Sequence, residues 1–129
     1  MKFLVVEDNI PAQNLLHKIL IEFGEVELCA TAEDGLANFS ESLKSESLYD
    51  MIFVDFELPG MNGDKFVEEI RKLEKGGKRT PISITSGVAD EKDIESCNKC
   101  GADWSIHKPY IQSEIVEFIQ ACNANKFQK

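Results

Sequence analysis

Asp55 closes a run of large apolar residues, Met51-Ile52-Phe53-Val54, and Glu57 and the turn Leu58-Pro59-Gly60 follow at once. A carboxylate at the end of a hydrophobic strand costs free energy to bury, so its presence points to work that needs it. A second acidic site, Glu7-Asp8, ends another apolar run, Phe3-Leu4-Val5-Val6. Thr85-Ser86-Gly87 ends a third, supplying a hydroxyl and then a backbone N–H that a ligand can approach closely. His107-Lys108-Pro109 ends a fourth and supplies an ammonium group. Carboxylates held close together raise one another's pKa, and a divalent cation relieves the conflict. Hard oxygen donors with water positions left open favour magnesium. Acids, a cation, a hydroxyl, free N–H groups and a lysine make a site for a phosphoryl group carried by Asp55, since carboxylate nucleophiles form aspartyl phosphates. Lysine serves there as a mobile point charge for phosphate oxygens. Singly, each residue has a plainer reading: acids cap helices, Ser86 shapes a turn, Lys108 is a solvated charge. Their joint position at strand ends favours the site.

The elements that must bring these ends together follow from periodicity. Short apolar runs alternate five times with helical stripes: Leu15, Leu16, Ile19, Leu20 and Phe23; Ala32, Leu36, Phe39 and Leu43; Phe66, Val67, Ile70 and Leu73; Ile94 and Cys97; Ile115, Val116, Ile119 and Cys122. Five β-α repeats predict a five-stranded parallel sheet with five helices packed on its two faces. The first and third strands are continuously apolar and the fourth nearly so, which suits strands covered on both faces. The second and fifth mix polar and apolar residues and suit edges. A doubly wound, flavodoxin-like sheet of order 2-1-3-4-5 satisfies this pattern, and its ligand crevice lies beyond the strand ends where the order reverses, between strands one and three. Glu7-Asp8 and Asp55 meet there. The polar stretch Ser40 to Ser47 extends the second helix into a surface loop, residues 124–129 read as a frayed tail, and one domain accounts for the rest.

Composition narrows the function. With 14 basic and 23 acidic residues among 129, the formal charge is −9. Such a surface repels phosphate backbones, so direct nucleic-acid binding is not expected. Phe3–Val6 is too short for a signal peptide or membrane span, which gives a cytoplasmic reading by default. Cys29, Cys97, Cys100 and Cys122 read as free thiols. Cys97 and Cys100 have the spacing of a redox or zinc pair, but they close a helix before Gly101 and no second pair completes a zinc site, so packing is the expected role. No Ser/Thr/Gly-rich phosphate loop follows the first strand, which sets flavodoxin chemistry aside.

With these residues in place, the chain resembles the receiver domain of two-component response regulators, of the chemotaxis-regulator type, over residues 2–122. The resemblance is carried by Glu7-Asp8, Asp55 after Met51–Val54, the segment from Leu58 to Gly63, Pro81 to Gly87, and Lys108-Pro109 downstream of Gly101-Ala102-Asp103. It implies a receiver domain over residues 1–123 whose Asp55 takes a phosphoryl group from a histidine kinase or histidine phosphotransfer protein in a magnesium-dependent reaction. Asp8 and Asp55 would hold the metal, aided by Glu7 through water and by the backbone carbonyl of Glu57. Ser86 and Lys108 would bind phosphoryl oxygens, with the Lys108-Pro109 bond cis. The domain would catalyse only its own phosphorylation and dephosphorylation, in a bacterial cytoplasmic phosphorelay. A downstream protein or output domain would read the face formed by the fourth helix, the fifth strand and the last helix.

One position departs from the family. Three residues before the strand-five lysine, where receivers commonly carry Tyr or Phe, stands Ser105. Neighbouring Trp104 points to the opposite face of the strand and cannot replace that ring; it reads as edge-strand packing. The signal is therefore expected to leave through Ser86 and the loop from Gly87 to Asp90. Two other readings stay open: a receiver-like interaction module that works without phosphorylation, and a small phosphatase using Asp55 and Glu57 as nucleophile and acid/base.

Overall fold

Successive residues of a strand face opposite sides, so an uninterrupted apolar run such as Phe3-Leu4-Val5-Val6 must be covered twice. A computed structural model describes residues 1–87 and 101–123 and shows how. The elements are β1 (Lys2–Val6), α1 (Ile10–Leu20), β2 (Glu25–Cys29), α2 (Ala32–Ser45), β3 (Met51–Asp55), α3 (Gly63–Glu74), β4 (Ile82–Ser86), β5 (Trp104–His107) and α4 (Gln112–Asn123). All strand pairs are parallel and the order is β2-β1-β3-β4-β5, the expected doubly wound sheet. Leu4, Val6, Ile52, Val54, Ile82 and Ile84 face a core shared with Phe39, Phe66 and Ile70 of α2 and α3. Phe3, Val5, Phe53 and Ile106 face a second core with Leu16 and Leu20 of α1 and Ile115 and Phe118 of α4. Every residue of β3 and β4 is buried, whereas most of edge strand β2 is not.

Local chemistry sets the helix starts that border the crevice. Asn9 caps α1 by accepting the Ala12 N–H at 2.9 Å, and Pro11 sits in the first turn, where its missing N–H costs nothing. Thr31 caps α2 by accepting the Asp34 N–H at 3.1 Å. The stripe read through Phe23 outlasts its helix: α1 ends at Leu20, and Phe23 is exposed in the turn that leads into β2. That turn is forced, because the Glu25 N–H must reach the Met1 carbonyl at 2.9 Å for β2 to begin. Trp104 packs on Phe118 with ring centroids 5.6 Å apart, on the face opposite exposed Ser105. Among the described residues there are four helices, none long and apolar enough to cross a membrane. The helix expected over Ile94 and Cys97, the Cys97/Cys100 pair, the loop from Val88 to Asp90 and the 124–129 tail lie outside the described residues.

Candidate functional site

The β1 and β3 ends pair in register, Val6 beside Val54, so the residues that follow them emerge side by side. Glu7, Asp8 and Asp55 each offer a carboxylate oxygen, all within 4.8 Å of one another. Glu7 and Asp55 are buried and Asp8 is exposed. Lys108, just past β5, reaches across the crevice: its Nζ lies 2.5 Å from Glu7 Oε1 and 3.0 Å from Asp55 Oδ2. The Glu57 backbone N–H donates to the other Asp55 oxygen, Oδ1, at 3.2 Å. Ser86 lies one residue beyond the Asp55–Thr85 register pair, and its carbonyl accepts the Lys108 N–H at 2.8 Å. Among the described residues the buried Ser86 hydroxyl has no hydrogen-bond partner, an arrangement that a ligand oxygen would relieve. The Lys108-Pro109 peptide is cis. Asp8, Asn9, Ile10, Pro11, Asp55, Glu57, Gly87 and Lys108 line the open cleft above these groups, so the residues singled out in the sequence do converge.

Three further residues shape the site. The Gly63 N–H donates to the Phe56 carbonyl at 2.7 Å, and a Cβ at Gly63 would lie 2.6 Å from the Asp55 carbonyl oxygen. Only glycine lets α3 start this close beneath the nucleophile's backbone. Tyr110, buried beside the cleft, places its hydroxyl 3.2 Å from Glu7 Oε1 and 3.0 Å from Thr85 Oγ1. Sequence reasoning gave neither Tyr110 nor Thr85 a part in the site. The signal was a tyrosine directly after Lys108-Pro109, since a buried tyrosine hydroxyl has to find a polar partner.

Burial pushes the Glu7 carboxyl up to about 7, with Asp55 adding to the rise and Lys108 opposing it. For Lys108, burial works against the charge, but the two carboxylates outweigh it and the pKa is raised. In metal-free protein, folded Glu7 therefore keeps a proton that the unfolded chain releases above its model value of 4.5. The folded state binds more protons, so this group's contribution to stability falls as pH rises from 4.5 to about 7. Glu7→Gln cannot ionise and should lack the slope. Urea unfolding in EDTA across that range should show the stability of wild type falling relative to Glu7→Gln, and a pH-independent difference would contradict this account of Glu7.

Comparison with known proteins places the arrangement in a family. The profile of the response regulator receiver domain matches residues 3–120. The sensory/regulatory protein RpfC of Xanthomonas campestris is 27% identical over 118 residues, which cover 91% of this chain but 16% of that protein. The chain thus spans a small part of the curated relatives it matches. The crystal structure of a CheY-like response regulator receiver domain protein from Methanospirillum hungatei superposes with a TM-score of 0.83 at 26% identity, covering 99% of this chain and 98% of that one. The receiver domain of the histidine kinase CKI1 from Arabidopsis thaliana, complexed with Mg2+ and BeF3-, superposes with a TM-score of 0.82 at 28% identity, covering 95% of this chain and 89% of that one. Relatives therefore occur in bacteria, archaea and plants. With a matching profile over nearly its whole length and a matching fold, the chain belongs to the receiver domains of two-component response regulators.

Proposed function

We propose that this receiver domain accepts a phosphoryl group on Asp55, in a magnesium-dependent reaction, from a phosphohistidine of a histidine kinase or phosphotransfer protein. The observation that carries the reading is the set around Asp55: two further carboxylates, Lys108 bonded to both Asp55 and Glu7, and a Ser86 hydroxyl without a partner among the described residues. The donor set fits magnesium, being all hard oxygen, crowded with negative charge and open to the cleft through Asp8. Asp8, Asp55 and the Glu57 backbone carbonyl would hold the ion, with Glu7 behind them. When bound, magnesium supplies the positive charge that lets these acids ionise together and neutralises the phosphoryl oxygens.

An Asp55 carboxylate oxygen attacks phosphorus, the P–O bond forms, and the P–N bond to the donor imidazole breaks, leaving its electron pair on nitrogen. Phosphoryl transfer asks the protein mainly for positioning and charge. The Glu57 N–H and Lys108 orient Asp55 from its two oxygens. Lys108 then shifts its charge to the transferred group, and Ser86 turns its unpartnered hydroxyl onto a phosphoryl oxygen. That pull on the end of β4 is the conformational signal, biasing a two-state equilibrium. A partner or output domain reads it on the face that includes β5 and α4. Turnover of an exogenous phosphate ester would favour the small-phosphatase reading instead. The phosphorylation-independent module is separated by experiment: incubation with acetyl phosphate in magnesium should give a single phosphate adduct by intact mass, and EDTA should suppress it. An adduct that forms equally in EDTA, or none with magnesium, would overturn the proposal.

A further inference from the structure

We infer that Tyr110 is a positioning residue of this site, its hydroxyl fixing the Glu7 carboxylate for metal binding and tying it to β4 through Thr85. The inference rests on the reading of the crevice as a magnesium and phosphoryl centre. Glu7 follows β1 and Thr85 belongs to β4, with β3 and its Asp55 between them; the Tyr110 hydroxyl, 3.2 Å from Glu7 Oε1 and 3.0 Å from Thr85 Oγ1, bridges over that strand. Both ends of the bridge border Asp55, since Thr85 is its register partner and Glu7 shares Lys108 with it. Burial raises the Tyr110 pKa and keeps the hydroxyl a proton donor.

Proton counting orders the chain. An ionised carboxylate only accepts, so Tyr110 gives its one proton to Glu7 and must accept the Thr85 proton in turn. The bond fixes Glu7 Oε1 in place beside Asp55 before any metal arrives. Without it the carboxylate must be ordered as the metal binds, and that cost appears as lower metal affinity. The ring itself packs in the core beside Ile115 and Phe118, so Tyr110→Phe removes the hydroxyl and keeps the packing.

Calorimetric titration of the intact chain with magnesium chloride tests this. Tyr110→Phe should raise the dissociation constant roughly three- to tenfold, the factor that the net contribution of a single ordinary hydrogen bond carries. Thr85→Val, which releases the other end of the bridge, should move it in the same direction. Phosphorylation by acetyl phosphate should then need correspondingly more magnesium for half its maximal rate, with most of the lost rate recovered at saturation. Tyr49→Phe, which also removes a tyrosine hydroxyl bonded to a glutamate, Glu27, but outside the crevice, should change nothing in the titration. A Tyr110→Phe constant within twofold of wild type, a rate loss that saturating magnesium does not repair, or an equal effect of Tyr49→Phe overturns the inference while leaving the site's function intact. Absence of magnesium binding by wild type overturns both.

Discussion

Asp55→Asn is expected to abolish the phosphate adduct entirely. The amide keeps the size and most of the hydrogen-bonding shape of the carboxylate, so the Glu57 N–H and the cleft retain their partner, but it has no nucleophilic oxyanion to attack phosphorus. Neighbouring acids cannot take over. Glu7 is buried behind Lys108, and neither Asp8 nor Glu57 combines the strand-end burial with the lysine and amide contacts that orient Asp55. Intact mass after incubation with acetyl phosphate and magnesium should show less than about 1% of the wild-type adduct, because no other group forms the bond to phosphorus. The same substitution removes one negative charge beside Glu7, so metal-free protein should become more stable above neutral pH even as function disappears. An adduct surviving in Asp55→Asn would assign the nucleophile elsewhere.

Arg71→Ala should produce the largest loss of stability, although Arg71 lies far from the crevice. Its guanidinium donates to the Gly101 carbonyl at 2.9 and 3.1 Å, to the Thr80 carbonyl at 2.8 Å, and to the Glu74 and Asp103 carboxylates at 2.9 Å each. Those acids are in turn bonded to the backbone, Glu74 to the Thr80 N–H at 2.7 Å and Asp103 to the Ile82 N–H at 2.9 Å. One cation thus fastens the end of α3 to the entrances of β4 and β5. The Glu74 and Asp103 side chains are only 5% exposed, so truncation strands two carboxylates in low dielectric. Breaking a buried pair from one side costs about 3–5 kcal/mol, and the lower end applies because Arg79 still reaches Asp103 at 2.9 Å. Thermal unfolding should fall by roughly 10 °C. Arg79→Ala, whose side chain is half exposed, should cost no more than about 1 kcal/mol. Similar losses at the two arginines would mean that burial does not govern the network.

The contrast between these sites separates contacts that residue periodicity dictates from those it leaves open. Strand order was legible because burial on two faces demands continuous apolar residues: β1 and β3 carry them, and β2, with Glu25 and Glu27 exposed on alternate positions, could only be an edge. The crevice was legible for a related reason. A parallel sheet delivers every strand's C-terminal residue to the same edge, so Glu7, Asp8, Asp55, Ser86 and Lys108 were bound to meet once the order was known. Hydrogen-bonded side chains brought together from distant segments obey no such periodicity. Nothing in the local sequence sets Arg71 apart from the other charges of α3, yet its Asp103 partner lies 32 residues away. Nothing around Tyr110 names its partner either, yet it bonds to Glu7 across 103 positions. Residue type says that a buried guanidinium or phenol needs partners, but not which ones. Directional contacts are settled by where helices and strands finally lie, and that was decided only by the packed tertiary structure.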